Sequence, residues 1–395
     1  MAKYAEKDCA ISGVGQSEIF RKPQVLPFEL ALRACERAIA DAGLTAADID
    51  GVACWPMTPA GTAYGFGAAS IPDVCQSLGI RPAWWSEASV AAQISPIMEA
   101  VAAIAAGYAT HVLCFRAVGQ RWIPADGGAA GEGNHPAPVA GYEFMIPYRA
   151  PSAANWIACH ASTHMTHYGI TREQMGWIPV VQRRNAGLNP QAIYRHPFTI
   201  EEYLQARMIS TPFSLLDCDI PCDGTTAVIV SRADAARDLP NPPIVIEAIA
   251  AGGQERMETW LARPDYPHMA LHDATKRMWN RTDLKPSDVD TAHLYDGFTW
   301  LTMVWMEAFG FCGEGESGAF IEGGQRISLD GELPLNPNGG QLSEGRMHGL
   351  GFVHEAVLQL RGQAGARQAK KAVNVSAVGA GGGSLGGAML LRRES

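Results

Sequence analysis

The stretch "NGGQLSEGRMHGLGF", residues 338–352, sets a guanidinium and an imidazole among glycines. Arg346 and His348 are side chains that bind anions or transfer protons. Glycine-rich backbone can also bring N–H groups close to a ligand, where they stabilise negative charge developing on oxygen. A second motif, "YDGF", adds a phenol and a carboxyl group at Tyr295 and Asp296. These residue types indicate proton-transfer chemistry.

Histidines and cysteines form a second set of candidate ligands. In "HASTHMTH", His160, His164 and His167 fall at i, i+4 and i+7 on one helical face, which is compatible with a metal site. The stretch has no fourth ligand and no "HExxH" pattern, so packed or surface histidines are favoured and no metal site is predicted. Cys218 and Cys222 are interpreted as buried small residues near a strand.

The amino-acid composition limits the class of protein in which these side chains can act. The chain has 395 residues, 47% of them hydrophobic and 18% charged, enough for one large or two medium domains with a substantial core. Its formal net charge of -9 argues against nucleic-acid binding, and no run of about 18 apolar residues suggests a membrane span. The first residues contain no apolar signal core, and nine scattered cysteines do not form a disulfide framework. A cytoplasmic location with reduced thiols is expected.

The elements that must position these residues form an internal repeat. Residues 32–52 align without gaps on residues 272–292, with identities at five positions, and each copy has a helix, an "L-x-x-x-D-(I/V)-D" turn and a short apolar strand. A second pairing sets residues 98–115 against residues 354–378, each a helix, a glycine break and a β-branched strand. The repeat predicts a duplicated α/β unit with parallel strands and right-handed crossovers.

Residues 117–210 interrupt this pattern. The Gly- and Pro-rich "PADGGAAGEGNHPAP" and the helical stretch from Ala153 to Tyr168 indicate an inserted lid. Within it, Arg183 and Arg184 are candidates for binding a phosphorylated ligand, with an exposed basic pair on a solvated helix face as the favoured alternative.

Several motifs follow one another in a fixed order along the chain. They are the duplicated halves, "TPFSLLDCDIPCDGTTAVIV" at 211–230, "YDGF", the glycine-rich 338–352 loop and the final "GAGGGSLGGAMLL". Their order and spacing resemble those of the thiolase superfamily. The resemblance covers nearly the whole chain, and it is greatest to the sterol-carrier-protein-type thiolases and their lipid-transfer-protein relatives. It implies an α/β thiolase fold, with duplicated βαβαβαββ halves in a five-layered αβαβα core.

The resemblance also implies domain boundaries. The predicted segments are 1–116 for the first part of the N-terminal half, 117–210 for the inserted lid, 211–240 for the end of the N-terminal half and 241–395 for the C-terminal half.

The sequence departs from the thiolase pattern at the catalytic cysteines. Counting back from Gly107 puts Ser89 or Val90 at the position of the nucleophile. Cys312 is the last cysteine of the chain, so the final glycine-rich loop lacks the second one. Tyr295 stands where the family has a histidine or asparagine. Gly345 and Arg346 replace a Gly-His pair, and His348 follows two residues later.

These departures decide between reaction classes. Claisen condensation and thiolysis need a thiolate that carries the acyl group. Retro-aldol cleavage of a 3-hydroxyacyl-CoA needs only a base, an acid and an oxyanion hole, because its product is an acyl-CoA enolate. The pattern resembles the lipid-transfer-protein aldolases that cleave coenzyme A-activated steroid side chains. The expected products are a ketone and a short acyl-CoA such as propionyl-CoA.

The resemblance implies roles for particular residues. Tyr295 and His348 would be the acid-base pair, with Asp296 and Arg346 in support, and either Arg346 or a protonated His348 would lower the pKa of Tyr295. No cofactor is expected to be bound permanently, since coenzyme A arrives as part of the substrate. The residues predicted to bind coenzyme A are Arg183, Arg184, Gly339, Gly340, Gly382 and Gly383.

Alternatives remain open at this stage. Tyr295 can be a core tyrosine and Asp296 a backbone cap. Arg346 can bind a coenzyme A phosphate, hold a carboxylate or pair with Glu344. An acyltransferase using Ser89 or a displaced cysteine is the second enzyme hypothesis. A non-catalytic acyl-CoA or lipid-binding subunit is the third.

The family also implies partners. A homodimer is expected, joined by a small OB-fold and zinc-ribbon protein to give a heterotetramer. The apolar run 300–311 is interpreted as hydrophobic surface that such a partner covers. Trp84 and Trp85, with residues 300–309, are candidates for a steroid- or fatty-acyl-binding wall, with a core or dimer interface as the alternative.

Overall fold

Nine strands of the computed structural model form one mixed sheet in the part of the chain that it describes, residues 4–22, 24–55, 69–87, 92–119, 147–150, 152–253 and 268–394. Two further short strands, β5 and β6, pair with each other. The strands are β1 (Cys9–Gln16), β2 (Gly51–Cys54), β3 (Trp84–Glu87), β4 (His111–Gly119), β5 (Met208–Ser210), β6 (Phe213–Ser214), β7 (Asp223–Arg232), β8 (Ile244–Gly253), β9 (Thr291–Leu294), β10 (Val375–Gly382) and β11 (Leu385–Arg393).

Helices cover both faces of the large sheet. They are α1 (Pro27–Asp41), α2 (Ile71–Leu78), α3 (Ser95–Ala105), α4 (Ala153–Tyr168), α5 (Arg172–Ala186), α6 (Ile200–Leu204), α7 (Ala233–Ala236), α8 (Ala270–Trp279), α9 (Thr299–Phe309), α10 (Ser317–Ile321), α11 (Gly340–Ser343) and α12 (Gly349–Arg361).

The sheet consists of two halves joined at one antiparallel contact. Its strand order is β3-β2-β4-β7-β1 for the first half and β8-β11-β10-β9 for the second, and the junction is the β1–β8 pairing. Strands β3, β2 and β4 are parallel, as are β10 and β9, whereas the pairings through β7, β1, β8 and β11 are antiparallel. The predicted parallel strands therefore form only the two outer parts of a mixed sheet.

The internal repeat is visible as two equivalent units. Helix α1, a 3₁₀ turn at Ala46–Asp48 and β2 correspond to α8, a 3₁₀ turn at Pro286–Asp288 and β9. Helix α3 with β4 corresponds in the same way to α12 with β10. The acidic turn residues close both 3₁₀ turns, since Asp48 accepts a hydrogen bond from the Thr45 N–H and Asp288 accepts one from the Lys285 N–H.

Successive side chains along a strand point to opposite faces of the sheet, so each face packs against its own layer of helices. In β4, Val112 and Cys114 face α3 and α12, while Leu113 and Phe115 face α1 and α2. Helices α3 and α12 share one apolar cluster with strands of both halves, and α8 and α9 pack on the outer face of the second half. The two halves of the sheet therefore form two layers with α3 and α12 between them, α1 and α2 outside the first half and α8 and α9 outside the second. This is the predicted five-layered αβαβα core.

Helix α9 corrects one expectation. The apolar run 300–311 was predicted to be surface that a partner covers, yet Trp300, Trp305 and Phe309 are fully buried in the core of the second half. A helix that is apolar on all sides is a buried helix. Trp85, on the edge strand β3, is exposed instead.

The predicted lid contains two long helices that pack on the second half. Helix α4 spans the predicted stretch from Ala153 to Tyr168, and both α4 and α5 contribute side chains to the apolar cluster around α9. The boundaries of the four predicted segments remain a prediction. Within the described ranges, no helix combines the length and apolarity needed to cross a bilayer.

Candidate active site

The site lies where two segments of the second half meet strand β4 and residues 219–220 of the first half. Tyr295 and Asp296 come directly after β9, and the Tyr295 N–H donates to the Gly379 carbonyl of β10. The preceding residue is fixed by Asn336, whose side chain exchanges two hydrogen bonds with the Leu294 backbone at 2.8 and 2.9 Å. Tyr295 is thus held on rigid backbone at the end of a parallel strand.

The segment before β7 lies between the other two. The Asp219 N–H donates to the Gly297 carbonyl, and the Ile220 N–H donates to the Gln341 carbonyl. The Arg346 N–H returns a hydrogen bond to the Ile220 carbonyl. Residues 219–220 therefore bind both the "YDGF" motif and the glycine-rich loop.

Arg346 and Asp219 form an ion pair across this junction. The Arg346 Nη1 lies 3.2 Å from the Asp219 Oδ1, and both side chains are largely buried. Arg346 stands where the thiolase resemblance has a histidine. Of the pairings expected for Arg346, the structure shows one with a carboxylate, and that carboxylate belongs to Asp219, which was not predicted.

Gln341 links Asp296 to His348. Its backbone N–H donates to the Asp296 Oδ1 at 3.0 Å, and its side-chain oxygen accepts from the His348 N–H at 3.2 Å. That second bond supports strained backbone, because His348 has φ 62° and ψ -162°, a region that residues other than glycine rarely occupy. Strain of this kind is maintained where the side-chain position matters.

His348 is the N-cap residue directly before α12, and aromatic and cationic groups surround it. Its ring lies parallel to that of Tyr295, with centroids 6.5 Å apart and planes 10° apart. The Trp55 ring approaches it edge-on at 6.2 Å. Its Nδ1 lies 3.0 Å from the Nη2 of Arg116, a fully buried arginine on β4.

Burial sets the protonation of the site. It raises the pKa of Tyr295 above 10, with Asp219 adding to the rise and Arg346 opposing it. Burial, together with Arg116 and Arg346, holds the pKa of His348 well below 6.5. Burial also raises the pKa of Asp219 to about 6 and that of Asp296 to about 7.

These directions correct the expected activation of Tyr295. A protonated His348 or Arg346 was predicted to lower the pKa of the phenol. His348 is instead neutral, and the desolvation of Tyr295 outweighs the positive charge of Arg346. Tyr295 is a phenol at neutral pH in the free protein, and Asp219 is the neighbouring group that is mostly ionised there.

Comparison with known proteins adds to this geometry. The family described as "Thiolase C-terminal domain-like" matches residues 252–391. The chain is 34% identical over 364 residues to the steroid side-chain-cleaving aldolase of Thermomonospora curvata, covering 89% of this chain and 90% of that one. The chain belongs to this aldolase family. It is also 34% identical to the 17-hydroxy-3-oxo-4-pregnene-20-carboxyl-CoA lyase of Mycobacterium tuberculosis, over 89% of this chain and 91% of the relative.

A solved structure of the same aldolase family agrees over the whole length. The structure described as "Ltp2-ChsH2(DUF35) aldolase" superposes with a TM-score of 0.87 at 33% identity, covering 98% of each chain. The predicted family resemblance is therefore confirmed.

In this aldolase-family chain, the lid fixes the glycine-rich loop. Arg183 uses its Nε to donate to the Ser343 hydroxyl at 2.7 Å and its Nη2 to donate to the Leu342 carbonyl at 3.2 Å. Arg184 is exposed. The structure thus gives Arg183 a partner in the loop, and phosphate binding by the two arginines stays a prediction.

At Gly339 and Gly340, atoms of other residues lie where the Cβ of any other amino acid would be. A Cβ on Gly340, which has φ 59°, would lie 2.0 Å from the Asp296 Oδ2, and one on Gly339 would lie 2.6 Å from the Cβ of Ala186. Gly382 ends β10 and Gly383 lies in the turn to β11. Binding of coenzyme A by these residues stays a prediction.

Glu344 connects the glycine-rich loop to the lid through hydrogen bonds. Its two carboxyl oxygens accept from the side-chain amides of Asn189 and Asn338, at 2.8 and 2.6 Å. Burial raises its pKa to about 8, with a contribution from the charge of Glu355. Glu344 therefore holds the loop in place through Asn189, and it is not the partner of Arg346.

The other candidate ligands lie elsewhere. The His164 Nε2 is 3.0 Å from the Glu307 Oε2, and the His160 ring stacks on Trp300, which places these histidines between α4 and α9. Among the described residues, no group of three or more His, Cys, Asp or Glu is arranged to hold a metal ion. Cys222 is buried and Cys218 half-buried. Ser89 and Val90 fall outside the described residues.

Sequence reasoning missed Arg116, Asp219 and Gln341. Arg116 has a sequence signal, since a charged residue inside the apolar strand "HVLCFRAVG" must have a buried partner or a function. Asp219 and Gln341 lie in motifs that were recognised, but their contacts depend on how distant segments meet.

Proposed function

We propose that this protein is a retro-aldolase that cleaves a 3-hydroxyacyl-CoA with a bulky, steroid-like acyl group. The observation that carries the proposal is the buried cluster of Tyr295, His348, Arg346 and Asp219, which has acid-base and cationic groups and no ionised thiol. Coenzyme A enters as part of the substrate.

The reaction needs no co-reactant. A base removes the proton of the 3-hydroxyl group, the bond between the α and β carbons breaks, and the hydroxyl-bearing carbon becomes a ketone. The electron pair of the broken bond moves into an acyl-CoA enolate. The same proton, returned to the α carbon, gives the shortened acyl-CoA. Catalysis therefore consists of moving one proton and holding one oxyanion.

Asp219 and Tyr295 are suited to moving the proton. Asp219, with a pKa of about 6, is mostly a carboxylate at neutral pH, and its charge raises the pKa of Tyr295. The Tyr295 phenol carries the proton from the substrate hydroxyl towards Asp219 and back to the enolate carbon. Arg346, paired with Asp219, limits the rise in the pKa of that carboxyl group.

An acyltransferase that uses a displaced cysteine needs a thiolate, and the cysteines near the site are poor candidates. Cys222 lies against Met347 and Cys54 lies near Arg116, and burial raises the pKa of both thiols. Burial raises that of Cys54 to about 12. Both groups are thiols at neutral pH, which supports carbon-carbon cleavage over acyl transfer.

Mass spectrometry of a single reaction tests the proposal. The probe is 17-hydroxy-3-oxo-4-pregnene-20-carboxyl-CoA, the thioester in the name of the M. tuberculosis relative. We expect a 17-ketosteroid and propionyl-CoA in equal amounts, before and after alkylation of accessible thiols. An acyl-cysteine adduct, with turnover lost on alkylation and acetoacetyl-CoA thiolysis present, would establish the acyltransferase instead.

We also propose that the protein acts in the cytoplasm as a homodimer with a DUF35 partner. All nine cysteines are free, as expected for a reducing compartment. The name of the matched structure pairs its aldolase with a DUF35 protein. Co-expression with a ChsH2-type protein and measurement of the mass by light scattering tests this. A fully active chain that purifies without a second protein would remove the need for the partner.

A further inference from the structure

Arg116 is a charged residue in the interior of a strand. It lies on β4 between β2 and β7, and its side chain has no exposed surface. Its position follows the inward-facing Val112 and Cys114, so its side chain points towards the central layer that contains α12. Burying a guanidinium costs free energy unless its N–H groups are bonded, which indicates a specific function for this position.

Several contacts fix the guanidinium. Its Nη1 donates to the carbonyls of Trp55 and Ala117, at 3.2 and 3.1 Å. Its centre lies 4.8 Å from the centroid of the Trp55 ring, and its Nη2 lies 3.0 Å from the Nδ1 of His348. The same tryptophan therefore packs against both the arginine and the histidine.

The direction of the bond to His348 follows from the groups involved. A guanidinium has five N–H donors and no acceptor, so the His348 Nδ1 must be the acceptor. A neutral imidazole carries one proton, which then lies on Nε2. The contact with Arg116 thus selects one tautomer and makes Nε2 a hydrogen-bond donor.

The charges around His348 oppose its protonation. Arg116 approaches from β4 and Arg346 from the glycine-rich loop, and both lower its pKa, with burial the largest cause. Tyr295, from the end of β9, is a phenol. Asp219 is paired with Arg346, and Asp296 accepts from the backbone of Gln341. Among the described residues, the His348 ring is hydrogen-bonded to Arg116, which is a cation.

We propose that Arg116 is a positioning residue that keeps His348 as a neutral imidazole protonated on Nε2, so that His348 donates a hydrogen bond to the thioester oxygen as the enolate forms. This rests on the proposed retro-aldol function, and it assigns His348 to the oxyanion hole and leaves proton transfer to Tyr295 and Asp219. A neutral imidazole donor is suited to an enolate because it stabilises negative charge without transferring a proton to the oxygen.

Nuclear magnetic resonance of the full chain tests the tautomer directly. In protein labelled with ¹⁵N-histidine, the His348 signals are assigned by their loss in His348→Gln. We expect an unprotonated Nδ1 and a protonated Nε2 throughout pH 6 to 9. A protonated Nδ1, or an imidazolium signal anywhere in this range, would overturn the proposal whether or not any variant folds.

Variants at Arg116 add the functional readout. Arg116→Lys keeps a cationic donor and should keep the Nε2–H tautomer, whereas Arg116→Met should give a mixture of tautomers and a pKa that rises towards 6.5. On the steroid thioester, Arg116→Met should lower kcat by about 10²-fold or more, the usual cost of losing an oxyanion donor, with a small change in KM. Arg116→Lys should restore most of that loss.

The two proposals can fail separately. A wild-type protein with the expected tautomer but no cleavage would reject the retro-aldol function and leave the Arg116–His348 relation standing. Cleavage by a protein whose Arg116→Met variant keeps the wild-type tautomer and kcat would reject the role of Arg116 and leave the function standing.

Discussion

At the scale of single residues, Tyr295 is the group whose removal separates the hypotheses. It would be the group that moves the substrate proton, and Tyr295→Phe removes only its hydroxyl group. We expect this change to lower kcat by about 10²-fold or more, the usual scale of acid-base catalysis, with acyl-CoA binding nearly unchanged. Steady-state kinetics together with acyl-CoA titration by calorimetry measures the two effects.

A matched control is Tyr108→Phe, because Tyr108 lies three residues after the end of α3 and is 66% exposed. This variant should lose no activity. If folded Tyr295→Phe keeps near wild-type turnover, the tyrosine is structural. The proton would then move directly between the substrate and a carboxylate.

The raised pKa of Asp219 predicts how turnover depends on pH. Its carboxyl group accepts the proton only when ionised, and its pKa is raised by burial to about 6. We expect kcat to fall as the pH is lowered through about 6, because Asp219 becomes protonated there. The pH–rate profile of Asp219→Asn should be low and lack this acidic limb. An unchanged limb in that variant would assign the titration to another group.

At the scale of elements, the glycine-rich loop depends on backbone that passes close to Asp296. Gly340→Ala adds a Cβ only 2.0 Å from the Asp296 Oδ2, at φ 59°. We expect it to displace the carboxyl group or the loop, and with them Gln341 and His348. Activity should fall by about 10²-fold or more, the scale on which misplacing a catalytic group acts.

Gly365→Ala is the control for backbone conformation alone. Gly365 has φ 62°, and no atom lies within 4 Å of the position that an added Cβ would take, so alanine there carries the same strain without the clash. Activity measured beside thermal unfolding compares the two variants. Equal losses in both would mean that strain, and not contact with Asp296, explains the effect.

The elements were predictable from the sequence to the extent that their signals are local. Periodicity, capping residues and the aligned 32–52 and 272–292 segments indicated α1, α8, β2 and β9. The apolar run in α9 was equally clear, but whether it is buried depends on the lid packing over it. Tyr295 and His348 were found because their motifs have a fixed order. Arg116 has a local signal as a charged residue in an apolar strand, but its role was missed because its contact with His348 spans 232 positions.

At the scale of the whole molecule, the buried acids of the site affect folding stability. Burial raises the pKa of Glu344 to about 8 and that of Asp296 to about 7, each from an ordinary value near 4. At pH values between the unfolded and folded pKa, the native state holds a proton that the unfolded chain has released. The free energy of unfolding therefore falls as pH rises towards about 8. The site is thus less stable in the pH range where its carboxylates are ionised.

We expect the wild-type protein to be more resistant to urea at pH 6.5 than at pH 8. Below about pH 6.5 the free energy of unfolding should rise less steeply as the pH is lowered. Burial holds the pKa of His272 and His354 at about 4, so these groups take up protons on unfolding and favour the unfolded chain there. Glu344→Gln mimics the protonated acid and should reduce the difference between pH 6.5 and pH 8, whereas Glu36→Gln on the exposed face of α1 should leave it unchanged. Stability that rises from pH 6.5 to 8, or a difference that survives Glu344→Gln intact, would show that Glu344 is ionised at neutral pH. The two amides that hold it, from Asn189 and Asn338, would then bind a carboxylate and not an acid.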